Sequence, residues 1–461
     1  ELYARTGPDV GKAICVLWNF ERKAMEDSQK SKPKSLGISE IAQLAKQNPK
    51  LKFKSLAHLI DRTLLLRSFQ QLKGNAGLGV DGISKKEYED DLFNNINDLH
   101  ERMKSWRYRH KPIRRVYIPK ADGKERPIGI SSTEDKIVQR AIATILEQIY
   151  EQDFYDCSYG FRPKRKAHDA IKALTDHMYR NPTNWVLEAD IKSFFDSVNH
   201  QTLKEFIQQR TIDKNFIRLI GKCLKAGIME GTDYTDPEEG TPQGSILSPI
   251  LANIFLHYVL DEWFYKEVVP RMKGIVKLVR YADDFVICFE REDDARRVYE
   301  VIFKRFAKYD LTLHETKTRL IRFTMPQKGK AETKTETFDF LGFTIYWHKT
   351  RKGDRWTPWC KTSRKKMTKT RKELEEYSRK SRFEKIGKQF QGLVSRLRGK
   401  FNYYGVSGNI ADISHIRLWA ENAWYKWLNR RSQRKSKTWE EFKKLLTWCK
   451  IPKVKIYVHL W

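Results

Sequence analysis

Val276-Lys277-Leu278-Val279-Arg280-Tyr281-Ala282-Asp283-Asp284-Phe285-Val286-Ile287-Cys288-Phe289 is the stretch on which the reading of this chain turns. Two apolar runs rich in β-branched and aromatic residues, 276–281 and 285–289, flank Ala282-Asp283-Asp284, which predicts a β-hairpin whose tight turn carries two aspartates. Taken alone, paired aspartates in a turn do no more than shape it. They gain chemical meaning when other acids converge on them. Trp185-Val186-Leu187-Glu188-Ala189-Asp190 offers one, a second apolar strand that ends on an aspartate. Two or three clustered aspartates are the minimal oxygen site for two divalent cations roughly 3.5 to 4 Å apart, one activating a hydroxyl and one holding a triphosphate.

The chain has 461 residues, 40% of them hydrophobic, enough to bury a sizeable core in two to four domains. Its 89 Lys and Arg against 58 Asp and Glu give a formal charge of +31. Solubility needs far less. A field of that sign captures polyanions, so nucleic acid is the leading partner and an anionic membrane surface the weaker one. The most apolar long window, 245–260, is interrupted by Ser248, Pro249, Asn253 and His257, and no signal-peptide pattern is evident, so no membrane association is expected. Cys15, Cys157, Cys223, Cys288, Cys360 and Cys449 lie far apart without a CxxC pair, and read as reduced thiols of a cytosolic protein rather than as zinc ligands. The chain opens on Glu1 rather than Met, so a preceding segment is expected.

Residues 1–50 read as a small helical extension. From Leu51 onward Leu56, Leu59, Ile60, Leu64, Leu65 and Phe69 recur at helical spacing until Gly74-Asn75-Ala76-Gly77-Leu78-Gly79-Val80-Asp81-Gly82 stops the helix. Arg115-Val116-Tyr117-Ile118-Pro119 and Arg126-Pro127-Ile128-Gly129-Ile130 predict a hairpin with basic residues at its tip. Ile137, Val138, Ala141, Ile142 and Ile145 predict a helix over 135–150 with one buried face. Asp196 is expected to cap a helix over 197–203. Residues 361–400 hold fifteen Lys or Arg against four Glu, which predicts a boundary near 350 followed by basic helices.

Three segments stand in order: Glu188-Ala189-Asp190-Ile191-Lys192-Ser193-Phe194-Phe195-Asp196, then Gly240-Thr241-Pro242-Gln243-Gly244-Ser245-Ile246-Leu247-Ser248-Pro249, then Tyr281-Ala282-Asp283-Asp284. This series resembles the motifs of reverse transcriptases. The likeness extends to Ile118-Pro119-Lys120 with Arg126-Pro127, Tyr159-Gly160-Phe161-Arg162-Pro163, His314-Glu315-Thr316-Lys317-Thr318 and Phe340-Leu341-Gly342-Phe343, covering about residues 70–345. Gly79-Val80-Asp81-Gly82, Ser158-Tyr159-Gly160-Phe161-Arg162-Pro163 and Phe401-Asn402-Tyr403-Tyr404-Gly405 resemble the group II intron-encoded members most. The resemblance implies an α+β right-hand polymerase. Its parts would be an N-terminal helical extension at 1–50, fingers at 51–185, a palm with an antiparallel sheet at 186–350, an α-helical thumb and maturase domain at 351–430, and a basic nucleic-acid-binding segment at 431–461.

The same resemblance implies an RNA-directed DNA polymerase that transfers nucleotides from dNTPs to a primer 3′ hydroxyl on an RNA template. It also implies a maturase that binds group II intron RNA for splicing and retrohoming. Asp190, Asp283 and Asp284 would be catalytic and, with Ile191, would form the site of two Mg²⁺ ions, for which Mn²⁺ can substitute. Lys120 and Arg126 would clamp the triphosphate, a point charge beside a planar fork. Phe195 would exclude a 2′ hydroxyl, with Phe194 as its competitor for that role. Gln243 would line the nucleotide pocket, Gly244 would let backbone approach template or substrate, and Lys317 would protonate leaving pyrophosphate. Arg162, Arg396, Arg398, Tyr403, Tyr404, Arg430 and Arg431 would contact nucleic acid, although the aromatics equally suit a helix core. The implied partners are an RNA template, a DNA primer, dNTPs and group II intron RNA. The implied location is the cytoplasm of a bacterial-type cell, with nucleoid or ribonucleoprotein. Two other uses stay open: a relative recruited to CRISPR spacer acquisition or phage defence, and an RNA-binding splicing maturase. Oligomeric state is not fixed by any of these motifs.

Overall fold

The computed structural model describes residues 37–119, 125–230, 233–235, 240–241, 244–326, 336–350, 353, 355–431 and 437–460. Among them run strands β1 (Ile113–Pro119), β2 (Glu125–Ile130), β3 (Trp185–Ala189), β4 (Ile228–Glu230), β5 (Asp233–Thr235), β6 (Val276–Tyr281), β7 (Asp284–Phe289), β8 (Arg319–Arg322), β9 (Phe338–Phe340), β10 (Phe343–Lys349) and β11 (Trp356–Thr362). Helices fill most of the remainder. The chain divides into two compact units that interleave in sequence.

One unit comprises Glu1–Tyr155, Ser193–Val259 and Tyr309–Leu311. Its sheet has the order β2-β1-β4-β5. The expected hairpin is present as β1 and β2, antiparallel from Arg114↔Ile130 to Pro119↔Glu125, while its basic tip lies outside the described residues. A parallel partner for β1, the three-residue β4, was not anticipated, because so short a strand leaves no periodicity. The predicted helix spans Thr133–Tyr150 and starts where the Ser132 hydroxyl accepts from the Asp135 amide. Its buried face of Ile137, Val138, Ala141, Ile142 and Ile145 is fully enclosed.

Two expectations need correction here. The long helix read from residue 51 is broken, because Asp61 accepts from the Leu64 amide at 2.7 Å and starts the helix anew over Arg62–Gln70. Upstream lies only a turn of 3-10 helix at Ala57–Leu59. Asp196 does not cap the next helix either. It closes a 3-10 turn, Phe194–Asp196, and the helix His200–Ile207 is capped by Asn199, whose extended backbone and side-chain oxygen meet the Thr202 amide at 3.0 Å.

Asp213 ties separate segments of this unit together. It caps the helix Lys214–Leu224 through the Asn215 and Phe216 amides, and its other oxygen accepts from Leu56 and Ala57 at 2.6 and 2.8 Å. Burial alone would raise its carboxyl, but these backbone N–H groups outweigh it and hold the group below the ordinary carboxylate value.

The second unit comprises Asp156–Lys192, Leu260–Lys308 and Thr312–Trp461. Its antiparallel sheet has the order β6-β7-β3-β8. The helix Ala167–Arg180 presents Ala170, Ile171, Leu174 and Met178 to the core that takes in Val186, Val279, Val286 and Cys288. The alternate residues Leu187, Leu278, Phe285 and Ile287 are also buried, with Phe285 stacked at 5.8 Å on Phe306 of the helix Glu292–Ala307. Burial on both faces explains why these strands read as continuous apolar runs. Each such side chain contributes about 1.5–3 kcal/mol.

A second antiparallel sheet, β11-β10-β9, follows. The strand β11 was not anticipated, since Pro358 argues against a strand; it stands on the edge strand, where the missing N–H costs no ladder bond. The expected basic helices are Arg364–Ser381, Ile386–Tyr404 and Ile410–Asn429, joined by Trp439–Cys449. Leu374, Leu393, Phe401, Ile416, Trp424 and Phe442 turn inward, leaving much of the Lys and Arg to solvent.

Asp213→Ala is expected to cost about 3 kcal/mol in urea unfolding, from a lost cap and unsatisfied buried amides. Because the folded carboxyl sits below its unfolded value, this stabilisation is complete at neutral pH and fades as pH falls through the folded value. The wild-type and Asp213→Ala unfolding curves should therefore converge in acid.

Candidate catalytic centre

The hairpin β6–β7 pairs through Tyr281↔Asp284, so Ala282 and Asp283 alone form the turn. Ala282 is buried and left-handed, with φ of 57°. That conformation costs a residue with a β-carbon on the order of 1 kcal/mol. Arg280 holds it in place. Its side chain is completely buried, forks onto the equally buried Asp261 with Nε donating at 2.8 Å, and donates from Nη1 to the Ala282 carbonyl at 3.0 Å.

The segment 157–160 supports the turn from behind. Arg280 donates its amide to the Cys157 carbonyl at 2.8 Å, and its own carbonyl accepts from the Tyr159 amide at 2.9 Å. A β-carbon on Gly160 would lie 2.3 Å from the Ala282 nitrogen and 2.9 Å from the Tyr281 carbonyl carbon. Only glycine fits there. Arg162 is buried and donates to the Ser158 carbonyl at 3.0 Å. The expected nucleic-acid contact by Arg162 is thus corrected: its side chain is buried and bonded to the Ser158 carbonyl.

Asp190 follows β3. The ladder β3–β7 runs from Trp185↔Phe289 to Ala189↔Phe285, so the next residue of each strand, Asp190 and Asp284, lies at the same end of the sheet. Ile191 is buried and bridges to Leu313, while the Asp190 carbonyl accepts from His314 at 2.8 Å. The Asp190 carboxylate receives the Lys317 ammonium at 2.5 Å. Beside them Glu188 pairs with Arg319 at 2.6 Å. Burial first, then the charge of Asp283, with Asp190 and Glu188 adding to it, pushes the Asp284 carboxyl up to about 7 against an opposing Leu341 amide.

Among the described residues, no three His, Cys, Asp or Glu side chains already stand within joint reach of an ion. Lys317 occupies Asp190 instead. The donor chemistry nevertheless fits hard divalent cations: oxygen ligands, one of them desolvated, that repel one another.

In the other unit, Arg126 is exposed on β2, and Lys120 and Gln243 fall outside the described residues. Phe194 is buried edge-on against Phe255, whereas Phe195 is partly open. The Phe195 carbonyl accepts from the Thr241 amide at 2.6 Å, which ties this turn to the 240–241 loop. Gly244 has φ of 110°, and a β-carbon there would lie 2.5 Å from the Gly129 carbonyl oxygen. Packing on β2 already requires glycine there, whatever else approaches its exposed backbone.

Arg396, Arg398, Arg430 and Arg431 are exposed. Arg396 lies 3.7 Å over the Tyr377 ring, and Arg430 5.5 Å over Trp427. Tyr404 is buried edge-on to Phe343, and Tyr403 stacks on Phe343 while its hydroxyl donates to the Leu341 carbonyl at 2.8 Å. Tyr404 is thus a core residue, the alternative weighed for these aromatics, while Tyr403 is only partly buried. Gly160 stood in a quoted motif without a role of its own, and Arg280 and Asp261 were not singled out in the sequence. Charges inside the apolar stretches 276–281 and 254–264 were the available signal.

A fold of mixed helices and antiparallel sheets, with carboxylates gathered at the end of one sheet, describes a polymerase palm. The sequence model described as "Reverse transcriptase (RNA-dependent DNA polymerase)" matches residues 118–345. Protein YkfC of Escherichia coli (strain K12) is 35% identical over 281 residues, 54% of this chain and 74% of that one. The chain belongs to the reverse transcriptase family, with its palm and fingers. Group II intron-encoded protein LtrA of Lactococcus lactis subsp. cremoris is 37% identical over 228 residues, 49% of this chain and 38% of LtrA. A 91 kDa protein in the cob intron of Schizosaccharomyces pombe is 38% identical over 205 residues, 44% of this chain and 25% of that one. Within the family, this chain is of the group II intron reverse transcriptase and maturase kind, and it spans less than half of the latter two relatives.

Gly160→Ala should displace the turn and lower primer extension by about 10²-fold or more, the cost of a misplacement near 1 Å, with circular dichroism unchanged. Arg280→Met leaves Asp261 buried without its partner and should cost about 3–5 kcal/mol in chemical unfolding. Adding Asp261→Leu should restore stability but not extension rate.

Proposed function

We propose that this chain copies RNA into DNA, joining dNTPs to a primer 3′ hydroxyl at Asp190, Asp283 and Asp284. The observation that carries this reading is the gathering of these aspartates at one sheet end, where their mutual repulsion calls for cations. Divalent ions, Mg²⁺ or Mn²⁺, would be held by the three carboxylates with Ile191 and would supply activation of the hydroxyl and neutralisation of the triphosphate.

The protein's own groups do the rest. Lys317 holds an ammonium against Asp190, which balances the site and is placed to give a proton to leaving pyrophosphate. Lys120 and Arg126 clamp the triphosphate, and Gln243 lines the nucleotide pocket. Phe195, the open member of its aromatic pair, lies against the sugar and excludes a 2′ hydroxyl. Fingers at 51–185, palm at 186–350, thumb and maturase helices at 351–430 and a basic segment at 431–461 hold template and primer. The exposed Arg396, Arg398, Arg430 and Arg431 contribute backbone contacts.

A maturase role in binding intron RNA is supported by the likeness to LtrA, itself group II intron-encoded. We place the protein with nucleic acid in the cytoplasm of a bacterial-type cell. Among the described residues no helix is long and apolar enough to cross a membrane.

Asp283→Asn should lower extension of a DNA primer on RNA by more than about 10³-fold, since a charged metal ligand is worth several kcal/mol; equal activity would overturn the assignment. Splicing of the cognate intron should persist in that variant. Phe195→Ala should raise the kcat/KM for a ribonucleotide relative to its deoxy counterpart by about tenfold or more in single-nucleotide incorporation assays.

A further inference from the structure

The unit that carries β1 and β2 contains a cavity of about 1310 Å³ between the helices His200–Ile207 and Lys214–Leu224 and the segments 109–112 and 225–227. It is larger than a small-molecule site of roughly 300–1,000 Å³. Six cations line it: Arg109, Lys204, Lys214, Arg218, Lys222 and Lys225. Among the described residues lining it there is no Asp or Glu. All six except Lys222 are exposed. Lys222 donates to the Tyr108 carbonyl, and burial together with the charges of Arg218 and Arg109 pushes its ammonium below the usual lysine value. A solvated basic face normally interleaves acids that relieve such repulsion, and this one does not.

A second observation narrows the ligand. Arg218 and Lys222 also line a neighbouring cavity of about 400 Å³, whose wall includes Trp106. Trp106 is 43% exposed, is held with φ of 63°, and lies under the Arg218 guanidinium, 5.3 Å from its ring centroid. An open indole beside a row of cations matches what a single strand asks for: charge for successive phosphates and a flat face for an unpaired base. An acidic protein surface would make no use of the indole, and a regular duplex keeps its bases stacked on each other.

We propose that this cleft is a second nucleic-acid site, one that binds a single-stranded RNA segment with its phosphates along Lys204, Lys214, Arg218 and Lys225 and a base on Trp106. None of these residues belongs to the aspartate centre or to the nucleotide pocket proposed above. The proposal is therefore separable from the polymerase reading.

The test uses the full chain already saturated with an unlabelled template–primer duplex, so that the polymerase cleft is filled. Binding of a fluorescent 12-nucleotide oligouridylate is then followed by anisotropy across a salt series. The variant Lys204→Gln/Lys214→Gln/Arg218→Gln/Lys225→Gln should bind at least about tenfold more weakly and lower the slope of log Kd against log salt by about 3, since each phosphate contact to a single strand contributes about 0.7. Trp106→Ala should weaken binding about fivefold or more without changing the slope. Primer extension on a short pre-annealed duplex should stay as in the wild type for both variants. Should the fourfold variant misfold, the pair Lys214→Gln/Lys225→Gln, both on the surface, should lower the slope by about 1.4. Oligouridylate affinity and slope unchanged in the variants would overturn the proposal. So would an equal loss for duplex RNA with Trp106→Ala silent, which would mark the cleft as a general polyanion surface. Loss of extension in Asp283→Asn with oligouridylate binding intact would leave this site standing.

Discussion

The ion pair of Arg280 with Asp261 is the constraint on which the catalytic unit depends. Both side chains are wholly enclosed, so each forgoes water, and the Coulomb attraction between them does little more than offset that loss. A Leu–Leu contact would have stabilised the fold at least as well. What an apolar pair cannot do is reach the Ala282 carbonyl, which accepts from the third guanidinium nitrogen. Guanidinium geometry fixes the directions of these donors, so satisfying the carboxylate also aims Nη1 at the turn. The strand thus carries a charge in its core in order to hold a strained residue next to two aspartates. Gly160 completes the device from the other side by bringing backbone against backbone where any side chain would intrude.

Electrostatics then divides the molecule. The chain as a whole carries a formal charge of +31, yet at the end of β3 and β7 the acids Glu188, Asp190, Asp283 and Asp284 come together. Arg319 and Lys317 answer two of them, one each, through ion pairs that solvent reaches. Asp284 has its proton affinity raised by burial first and by the charge of Asp283 second, against the Leu341 amide. Exposed pairs of this kind are weak, generally below about 1 kcal/mol, so the Lys317 pair can open without disturbing the fold. A buried pair such as Arg280 with Asp261 cannot. The two kinds of ion pair therefore serve different ends, one to fix geometry and the other to offset part of the acids' charge.

Much of this was legible beforehand. The hairpin 276–289, the strand ending at Asp190 and the helix over 133–150 announced themselves through apolar runs and periodicity, because their burial is local and continuous. The strands alone left the aspartates as ordinary turn residues, and it was the ordered motif series around them that singled out Asp190, Asp283 and Asp284 as a candidate site. Less was legible wherever a distant segment decided the outcome. Gly244 suggested a substrate approach from its motif, but not the packing on the Gly129 carbonyl that already requires glycine there. Arg162, Tyr403 and Tyr404 carry the residue types of nucleic-acid contacts, but Arg162 folds back on its own turn, and Tyr403 and Tyr404 pack against Phe343 and Leu341 of a sheet some sixty residues earlier. Asp61 breaks a helix whose apolar spacing runs straight through it, a case of one cap outweighing periodicity. Asp196 lost the capping role to Asn199 because the intervening 3-10 turn shifts where the backbone first becomes extended.

The adjacent rings of Phe194 and Phe195 show how little sequence distance separates structure from function. Both are aromatic, both lie just past the catalytic strand, and composition gives no reason to prefer either. The left-handed Ser193, with φ of 47°, and the 3-10 turn after it rotate successive side chains by roughly 120°, so two neighbours cannot share one environment. Phe194 takes the core against Phe255 and is lost to chemistry. Phe195 is left partly open, and its carbonyl is fixed by Thr241, so its backbone is as well anchored as a buried residue while its ring remains available. A buried ring lacks that accessibility and a loosely held one lacks that anchoring, so the same dipeptide yields one packing residue and one ring open to a neighbour.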